Sequence, residues 1–177
     1  MHRFETKRLS MRPIDVQDKT LYCALYTDDV VMRNIGKALT QEKAEKCFAT
    51  CLKMTNKPEP ILYVWVITDK NSGETLGIQN ISRDKSNLQQ AEFGIMLVPS
   101  SYRKHVAFES IGALTEYGLK HLNLVKMYSN FLPENKAILR IAQKLNYKID
   151  MDNLLPNTGQ ASCYMLKTQY KDTFIQH

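Results

Sequence analysis

A short basic loop between an apolar strand and a helix carries the residues best placed for chemistry. Residues 93–98 predict a buried strand, Pro99 ends it, and a helix is predicted from about Val106. The first backbone N–H groups of a helix have no partner within the helix, and the helix dipole favours negative charge there. Arg103 and Lys104 add positive charge at the same position. We therefore predict that this strand–loop–helix binds a phosphate group.

Two of the cysteines could form half of a metal site. Cys47 and Cys51 are four residues apart on a predicted helix, and they therefore lie on one of its faces. No histidine lies near them in the sequence, so we interpret them as structural thiols and expect no metal. Together with Cys23 and Cys163, they are too scattered for the disulfide framework of a small secreted protein.

The composition is that of a folded globular chain with a moderate positive charge. The 177 residues fit one domain spanning residues 1–177, and 44% hydrophobic and 24% charged residues is an ordinary composition. The net charge of +6 suits an anionic ligand, but the basic residues form no long run, so nucleic acid is not favoured as a partner. No apolar stretch is long enough to cross a membrane, and the N-terminus lacks the apolar segment of a signal peptide. We expect a cytoplasmic protein.

The hydrophobic pattern predicts strands that alternate with helices. The predicted strands are 7–13, 61–68, 76–82, 93–98 and 124–132, with two more between 147 and 174. Helices are predicted after the N-caps Asp15 and Thr40, at 28–36, from Val106 and from Pro133. A polar linker is predicted at 83–90. The expected architecture is α/β (α+β), with a central mixed, mostly antiparallel twisted sheet of six to seven strands and helices on both faces.

Four local strings occur in a recognisable order. They are ETKRLSMRPI from Glu5, DDVVMRNIG from Asp28, AEFGIMLVP from Ala91 and LPENKAILRIAQKLNY from Leu132. In this order they resemble the GNAT superfamily of acyl-CoA N-acyltransferases, most closely its ribosomal-protein alanine N-acetyltransferase (Rim-like) branch. The resemblance covers about residues 4–150. It implies a GNAT fold and the transfer of an acetyl group from acetyl-CoA to a primary amine, with no metal.

The resemblance also implies a site between two strands that part. Backbone groups of Met96, Leu97 and Val98 would pair with the pantetheine arm, and the N–H near Leu97 would polarise the thioester carbonyl. Glu92 would take the proton of the amine, usually through water, although an exposed strand end is a competing interpretation. Asn135 would hydrogen-bond to the pantetheine region, with helix capping as the alternative. The residues expected around the pyrophosphate are Arg103, Lys104, His105, Val106 and Ala107, with a solvated basic turn at 103–105 as the alternative.

Two positions of this loop depart from the family pattern Gln/Arg-x-x-Gly-x-Gly/Ala. Tyr102 replaces the Gln or Arg and His105 replaces the glycine, whereas Ala107 matches. Glycine lets backbone N–H groups approach a phosphate without a Cβ in the way, so His105 either obstructs the pyrophosphate or donates a ring N–H to it. The family's two positions for a general acid hold Ile138 and Ala142, which cannot donate a proton.

Two functions are compatible with the sequence. The first is an active N-acetyltransferase that uses acetyl-CoA and acts on a protein N-terminus or a small-molecule amine. The second is a catalytically weakened or inactive GNAT-fold protein that acts as a binding or interaction module. The sequence does not identify the acceptor, because fold alone does not determine function. A homodimer is left open.

Overall fold

The computed structural model describes residues 2–176 and shows a central sheet flanked by helices. Its strands are β1 (Phe4–Glu5), β2 (Leu9–Pro13), β3 (Leu62–Asp69), β4 (Thr75–Asp84), β5 (Asn87–Leu97), β6 (Lys126–Phe131), β7 (Lys148–Asp150) and β8 (Ala161–Leu166). The helices are α1 (Lys19–Thr27), α2 (Asp29–Met32), α3 (Gln41–Thr55), α4 (Val106–Glu116) and α5 (Lys136–Lys144). A π-helical turn, Tyr117–His121, extends α4. Between residues 2 and 176, no helix is both long and apolar enough to cross a lipid bilayer.

The strands form one sheet in the order β1-β2-β3-β4-β5-β6-β8-β7. Every neighbouring pair is antiparallel except β5 and β6, which are parallel and are connected through α4. The prediction of a mixed, mostly antiparallel sheet is confirmed, but the described chain has eight strands rather than six to seven. The additional strand, β1, is only two residues long, which is too short for an alternating pattern to reveal it.

Helices cover both faces of the sheet, as predicted. On β3, Trp65 and Ile67 point to one face and Val64 and Val66 to the other, and none of the four is more than 4% exposed. The first face packs against α4 and α5, and we call it the α4 face. The second packs against α1, α2 and α3, and we call it the α1 face. Full burial of each such side chain contributes about 1.5–3 kcal/mol, so the two clusters fix the sheet between its helices.

The prediction of a polar linker at 83–90 is wrong, because these residues form the closed end of a hairpin. Arg83 and Asp84 end β4, and Asn87 begins β5. Residues 87–89, at this end of the hairpin, are exposed. With water on both faces, backbone pairing holds the strands together without the alternation of apolar side chains that reveals a half-buried strand.

The predicted helix starts are confirmed at two N-caps. The Asp15 side chain accepts a hydrogen bond from Gln17 N at 2.8 Å, at the start of the 3-10 turn that leads into α1. The Thr40 hydroxyl accepts from Lys43 N at 3.4 Å and begins α3. These caps satisfy backbone N–H groups that have no partner inside the helix.

Candidate active site

Strands β5 and β6 pair over a short length and then part. Their parallel register joins 90–92 to 126–128, and neither strand pairs with the other beyond that point. β5 continues to Leu97 along β4, whereas β6 continues to Phe131 along β8. The sheet therefore opens between residues 93–97 and 129–131. We call this opening the fork.

Glu92 lies at the closed end of the fork, in the last paired position of β5. Its Oε1 accepts hydrogen bonds from Asn130 N at 3.3 Å and from Asn130 Nδ2 at 3.1 Å. Residues 2–176 provide no hydrogen bond to its other oxygen, Oε2. The carboxylate is thus oriented by the opposite strand, with one oxygen left to accept a proton from an amine or from a water.

Tyr128 is the direct neighbour of Glu92 across the two strands. Its hydroxyl donates to Asp84 Oδ1 at 2.6 Å. Burial raises the pKa of Tyr128, and the carboxylates of Asp84 and Glu92 raise it further. The phenol therefore keeps its proton, directs it to Asp84 and is a poor proton donor. Strand alternation places Tyr128 and Glu92 on the α1 face.

Only one of the three backbone positions predicted to meet the pantetheine arm turns its N–H into the fork. Val98 N donates to Leu76 O at 2.9 Å, and Val98 O accepts from Ser101 N at 3.0 Å, so both groups are engaged within the chain. Hydrogen-bonding groups alternate in direction along an antiparallel strand, which turns the Met96 N–H toward β4 and the Leu97 N–H toward the fork. Residue order alone could not distinguish these directions, because they depend on the register with β4.

The loop before α4 has an unusual backbone. Arg103 and His105 both adopt positive φ, at 63° and 61°, in the left-handed region that glycine favours. His105 thus adopts the backbone conformation expected of the glycine that it replaces. The cost of the left-handed conformation for a residue with a Cβ is about 1–2 kcal/mol. No side chain caps the N-terminus of α4, so its first N–H groups, at Val106 and Ala107, meet no capping oxygen.

The loop's side chains are exposed from Tyr102 to His105. Partial burial raises the pKa of Tyr102 and the Asp28 carboxylate raises it further, while Arg33 opposes the effect. Arg103 and Lys104 supply two exposed positive charges next to the N-terminus of α4.

An ion pair that the sequence did not suggest braces this loop. Arg8 Nε lies 2.7 Å from Glu109 Oε2, and Arg8 Nη1 donates to Lys104 O at 3.2 Å. Burial alone would raise the pKa of Glu109, but hydrogen bonds from Thr6 and Arg8 outweigh it and hold the pKa below its usual value. We call Arg8 and Glu109 the loop brace. The two residues are 101 positions apart, so no local pattern could reveal the pair.

Asn135 caps α5, which is the alternative interpretation of this residue. Its Oδ1 accepts from Ile138 N at 3.4 Å. The cap uses only Oδ1, so the amide Nδ2 stays available as a donor. Ala142 is 2% exposed, so the second family position for a general acid is buried as well as apolar. Burial also raises the pKa of the Cys163 thiol to about 12, which makes it an inert core residue.

No metal centre emerges from the geometry of residues 2–176, since no three His, Cys, Asp or Glu side chains come together. Cys51 is buried and Cys47 is exposed, and both thiols are free. Burial raises the pKa of Cys51 to about 11, so it stays protonated near neutral pH. The Cys51 thiol packs in the cluster of the α1 face.

Comparison with known proteins places these features in a family. Residues 8–148 match the acetyltransferase (GNAT) domain family. The chain is similar to the uncharacterized N-acetyltransferase YoaA of Bacillus subtilis (strain 168), at 25% identity over 146 residues that cover 81% of each protein.

Solved structures support the same fold. The spermidine N-acetyltransferase of Vibrio cholerae, in complex with CoA and spermine, gives a TM-score of 0.75 at 18% identity, covering 92% of this chain and 97% of that one. RimL, a ribosomal L7/L12 alpha-N-protein acetyltransferase in complex with coenzyme A, gives 0.76 at 13% identity, covering 93% and 98%.

Proposed function

The chain belongs to the GNAT acetyltransferase family, and from this premise we propose that it transfers an acetyl group from acetyl-CoA to a primary amine. The observation that carries the proposal is the fork, with the Glu92 carboxylate held at its closed end by Asn130. An opening in a sheet leaves strand backbone groups free to pair with an extended ligand, and here it also brings a proton acceptor next to them.

Each step of the transfer can be assigned to a group of this chain. Glu92 takes a proton from the acceptor ammonium, directly or through a water, and the neutral amine then attacks the thioester carbon with its lone pair. The second proton of the attacking nitrogen passes to solvent as the amide forms. The Leu97 N–H donates to the carbonyl oxygen as negative charge develops on it. The C–S bond then breaks. A thiol has a pKa of about 8.5, so the thiolate is a weak enough base to depart without a dedicated acid and to take its proton from solvent.

The loop before α4 would hold the pyrophosphate of the cofactor. The N–H groups of Val106 and Ala107 point out of the helix, and Arg103 and Lys104 supply charge. The left-handed backbone of His105 supports this role, because it provides the turn for which the family uses glycine. The Cβ and ring of His105 favour the second candidate, a binding module with weakened catalysis.

The acceptor is the least constrained part of the proposal. One structural neighbour is named as a spermidine N-acetyltransferase and another as an alpha-N-protein acetyltransferase, which supports either a small-molecule amine or a protein N-terminus. The ETKRLSMRPI string supports the ribosomal-protein branch. The free thiols of all four cysteines support a cytoplasmic location, and a homodimer remains part of the proposal.

Acetyl-CoA binding separates the two candidates. At one hundred times its Kd, a ligand stabilises a protein by about 2.7 kcal/mol, which for this chain length raises the Tm by about 5–10 °C. An active enzyme should show this shift and should release free CoA thiol with at least one acceptor among polyamines and peptides with a free N-terminus. Absence of any shift at millimolar acetyl-CoA would favour the interaction module.

Glu92→Gln tests the role of the carboxylate within the same assay. We expect turnover to fall by about 10²–10⁴-fold, because the proton acceptor is lost, while the thermal shift with acetyl-CoA stays intact. The matched control is Glu74→Gln, which removes an exposed carboxylate from the turn between β3 and β4 and should change neither quantity. Equal loss of binding and turnover in Glu92→Gln would mean that the residue is structural.

A further inference from the structure

The C-terminal tail, residues 170–176, lies along α4 without forming a strand or helix. The Glu116 side chain is 1% exposed, and its Oε2 accepts from Phe174 N at 2.6 Å and from Ile175 N at 3.0 Å. The Tyr170 hydroxyl donates to Gly112 O at 3.3 Å. The tail is therefore fixed by hydrogen bonds to two successive turns of α4.

Phe174 inserts its ring at a position where α4 has no side chain. A methyl group added at Gly112 would lie 2.5 Å from Phe174 Cζ, so the ring occupies the space that glycine leaves. The same ring packs edge-on against Phe108, with 5.6 Å between the centroids. Phe108 belongs to the first turn of α4, two residues after Val106. The tail thus reaches the helix end that carries the loop.

The tail also joins α4 to the start of the chain. Gln176 N donates to Glu5 O at 2.9 Å. Glu5 belongs to β1, three residues before Arg8 of the loop brace. The N-terminal half of α4 is consequently held by the loop brace and by the Phe174 ring. The tail begins after residue 148, where the match to the family ends, so it is a feature of this chain beyond that match.

We propose that Phe174 is a positioning residue for the acyl-CoA site: its ring, seated between Gly112 and Phe108, holds the first turn of α4 and the loop before it in the binding conformation. The inference rests on the proposed function, since it requires acyl-CoA to bind at the N-terminus of α4. Coupling between two sites is reciprocal. Tail packing therefore strengthens acyl-CoA binding, and acyl-CoA in turn holds the tail more firmly on the helix.

The reciprocal effect can be measured on the unmodified protein. Acetyl-CoA should slow hydrogen exchange at the amides of Phe174 and Ile175, which face Glu116 rather than the fork. The control is a set of amides on the other side of the sheet, in α3. Protection confined to the loop and the fork, with unchanged exchange in the tail, would overturn the inference.

Two substitutions displace the ring by different means. Phe174→Ala removes it, whereas Gly112→Ala expels it while raising the helix propensity of α4. We expect the Kd of acetyl-CoA to rise about five- to ten-fold in each, the lower end of measured couplings between sites. The double variant should be no weaker than either single variant, because the clash disappears with the ring. Phe174→Leu, which keeps a large apolar side chain, should retain most of the wild-type affinity for acetyl-CoA.

Phe48→Ala is the matched control for loss of stability. It removes a buried ring from the cluster on the α1 face, so it should lower the Tm without changing the Kd of acetyl-CoA. Unchanged affinity in Gly112→Ala, with wild-type protein that binds acetyl-CoA, would overturn the positioning role alone. Failure of the wild-type protein to bind acetyl-CoA would instead remove the proposed function, and this inference with it.

Discussion

The glycine that His105 replaces offers two properties, a left-handed backbone and the absence of a side chain. His105 keeps the first and lacks the second. The backbone at His105 has a φ of 61° and a ψ of 12°, so the turn survives. The difference from glycine lies in the second property, the open approach to the N–H groups of α4, because His105 adds a Cβ and a ring to the residue before Val106. Sequence comparison detects such a replacement but cannot show which of the two properties is lost, since the backbone angle is set by the fold around it.

His105→Gly is predicted to tighten acetyl-CoA binding by about ten-fold, equivalent to about 1.4 kcal/mol, because phosphate oxygens can then approach the amide groups of Val106 and Ala107. Isothermal titration measures the Kd. Arg103→Gly is the control, since it relieves the other left-handed residue, at a φ of 63°, but removes a positive charge. Both variants should raise the Tm slightly, and only His105→Gly should tighten binding. Weaker binding in His105→Gly would show that the ring is itself a ligand.

At the scale of elements, the site depends on where β5 and β6 stop pairing and on what holds α4. The loop brace is one of the contacts that hold α4. Arg8 immediately precedes β2, and its guanidinium bridges the Glu109 carboxylate and the carbonyl of Lys104. Because a side chain of the sheet's N-terminal edge contacts the loop backbone directly, the loop conformation depends on an element distant in sequence.

Arg8→Met is predicted to weaken acetyl-CoA binding about three- to ten-fold and to lower the free energy of unfolding by about 1 kcal/mol, since it keeps the apolar stem but removes the bridging group. The control is Lys19→Met, which breaks the more exposed Lys19–Glu45 pair at 2.8 Å on α1 and α3. That variant should change neither quantity appreciably. A loss of stability in Arg8→Met without a change in the Kd would mean that the loop holds its conformation unaided.

Much of the element pattern was available from the sequence, and the reasons for the exceptions are physical. Apolar alternation and N-caps predicted the half-buried strands and the helix starts, because those signals are local. The pairing of Glu92 with Asn130 spans 38 positions and the loop brace spans 101, and such contacts follow from tertiary register. The direction of the Leu97 N–H likewise depends on the register of β5 with β4. The chemical groups could be identified, but their orientation could not.

At the scale of the whole molecule, both ends of the chain converge on α4. Thr6 and Arg8, in the turn between β1 and β2, bind Glu109, and the tail contributes the amides that bind Glu116. Burial alone would raise the pKa of both carboxyls. Hydrogen bonds, and the Lys120 ammonium in the case of Glu116, outweigh that effect and hold both pKa values below the usual range. The two carboxylates therefore hold both ends of the chain on α4 most firmly while they are ionised.

We therefore expect acid to weaken the contacts of both chain ends with α4 before it affects the rest of the fold. A carboxyl whose pKa is lower in the folded state contributes stability in full above its unfolded pKa of about 4.3, and loses it as the pH falls through the folded value. We predict that Tm measured from pH 7 to 3 declines steeply below about pH 5, and that Glu109→Gln and Glu116→Gln each flatten this decline because one titrating group is gone. At neutral pH both variants should be less stable than wild type, and the curves should converge in acid.

The control for this titration is Glu42→Gln, which removes a carboxylate paired with Lys46 on the exposed surface of α3. Side chains there are 73% and 77% exposed, so the pair is screened by water and should leave the acid limb unchanged. If Glu42→Gln flattened the decline as much as Glu116→Gln did, general charge repulsion rather than the Glu109 and Glu116 carboxylates would govern acid unfolding. Hydrogen exchange at pH 4 adds a local readout, since the tail amides bound to Glu116 should lose protection before those of β3, whose side chains occupy both cores.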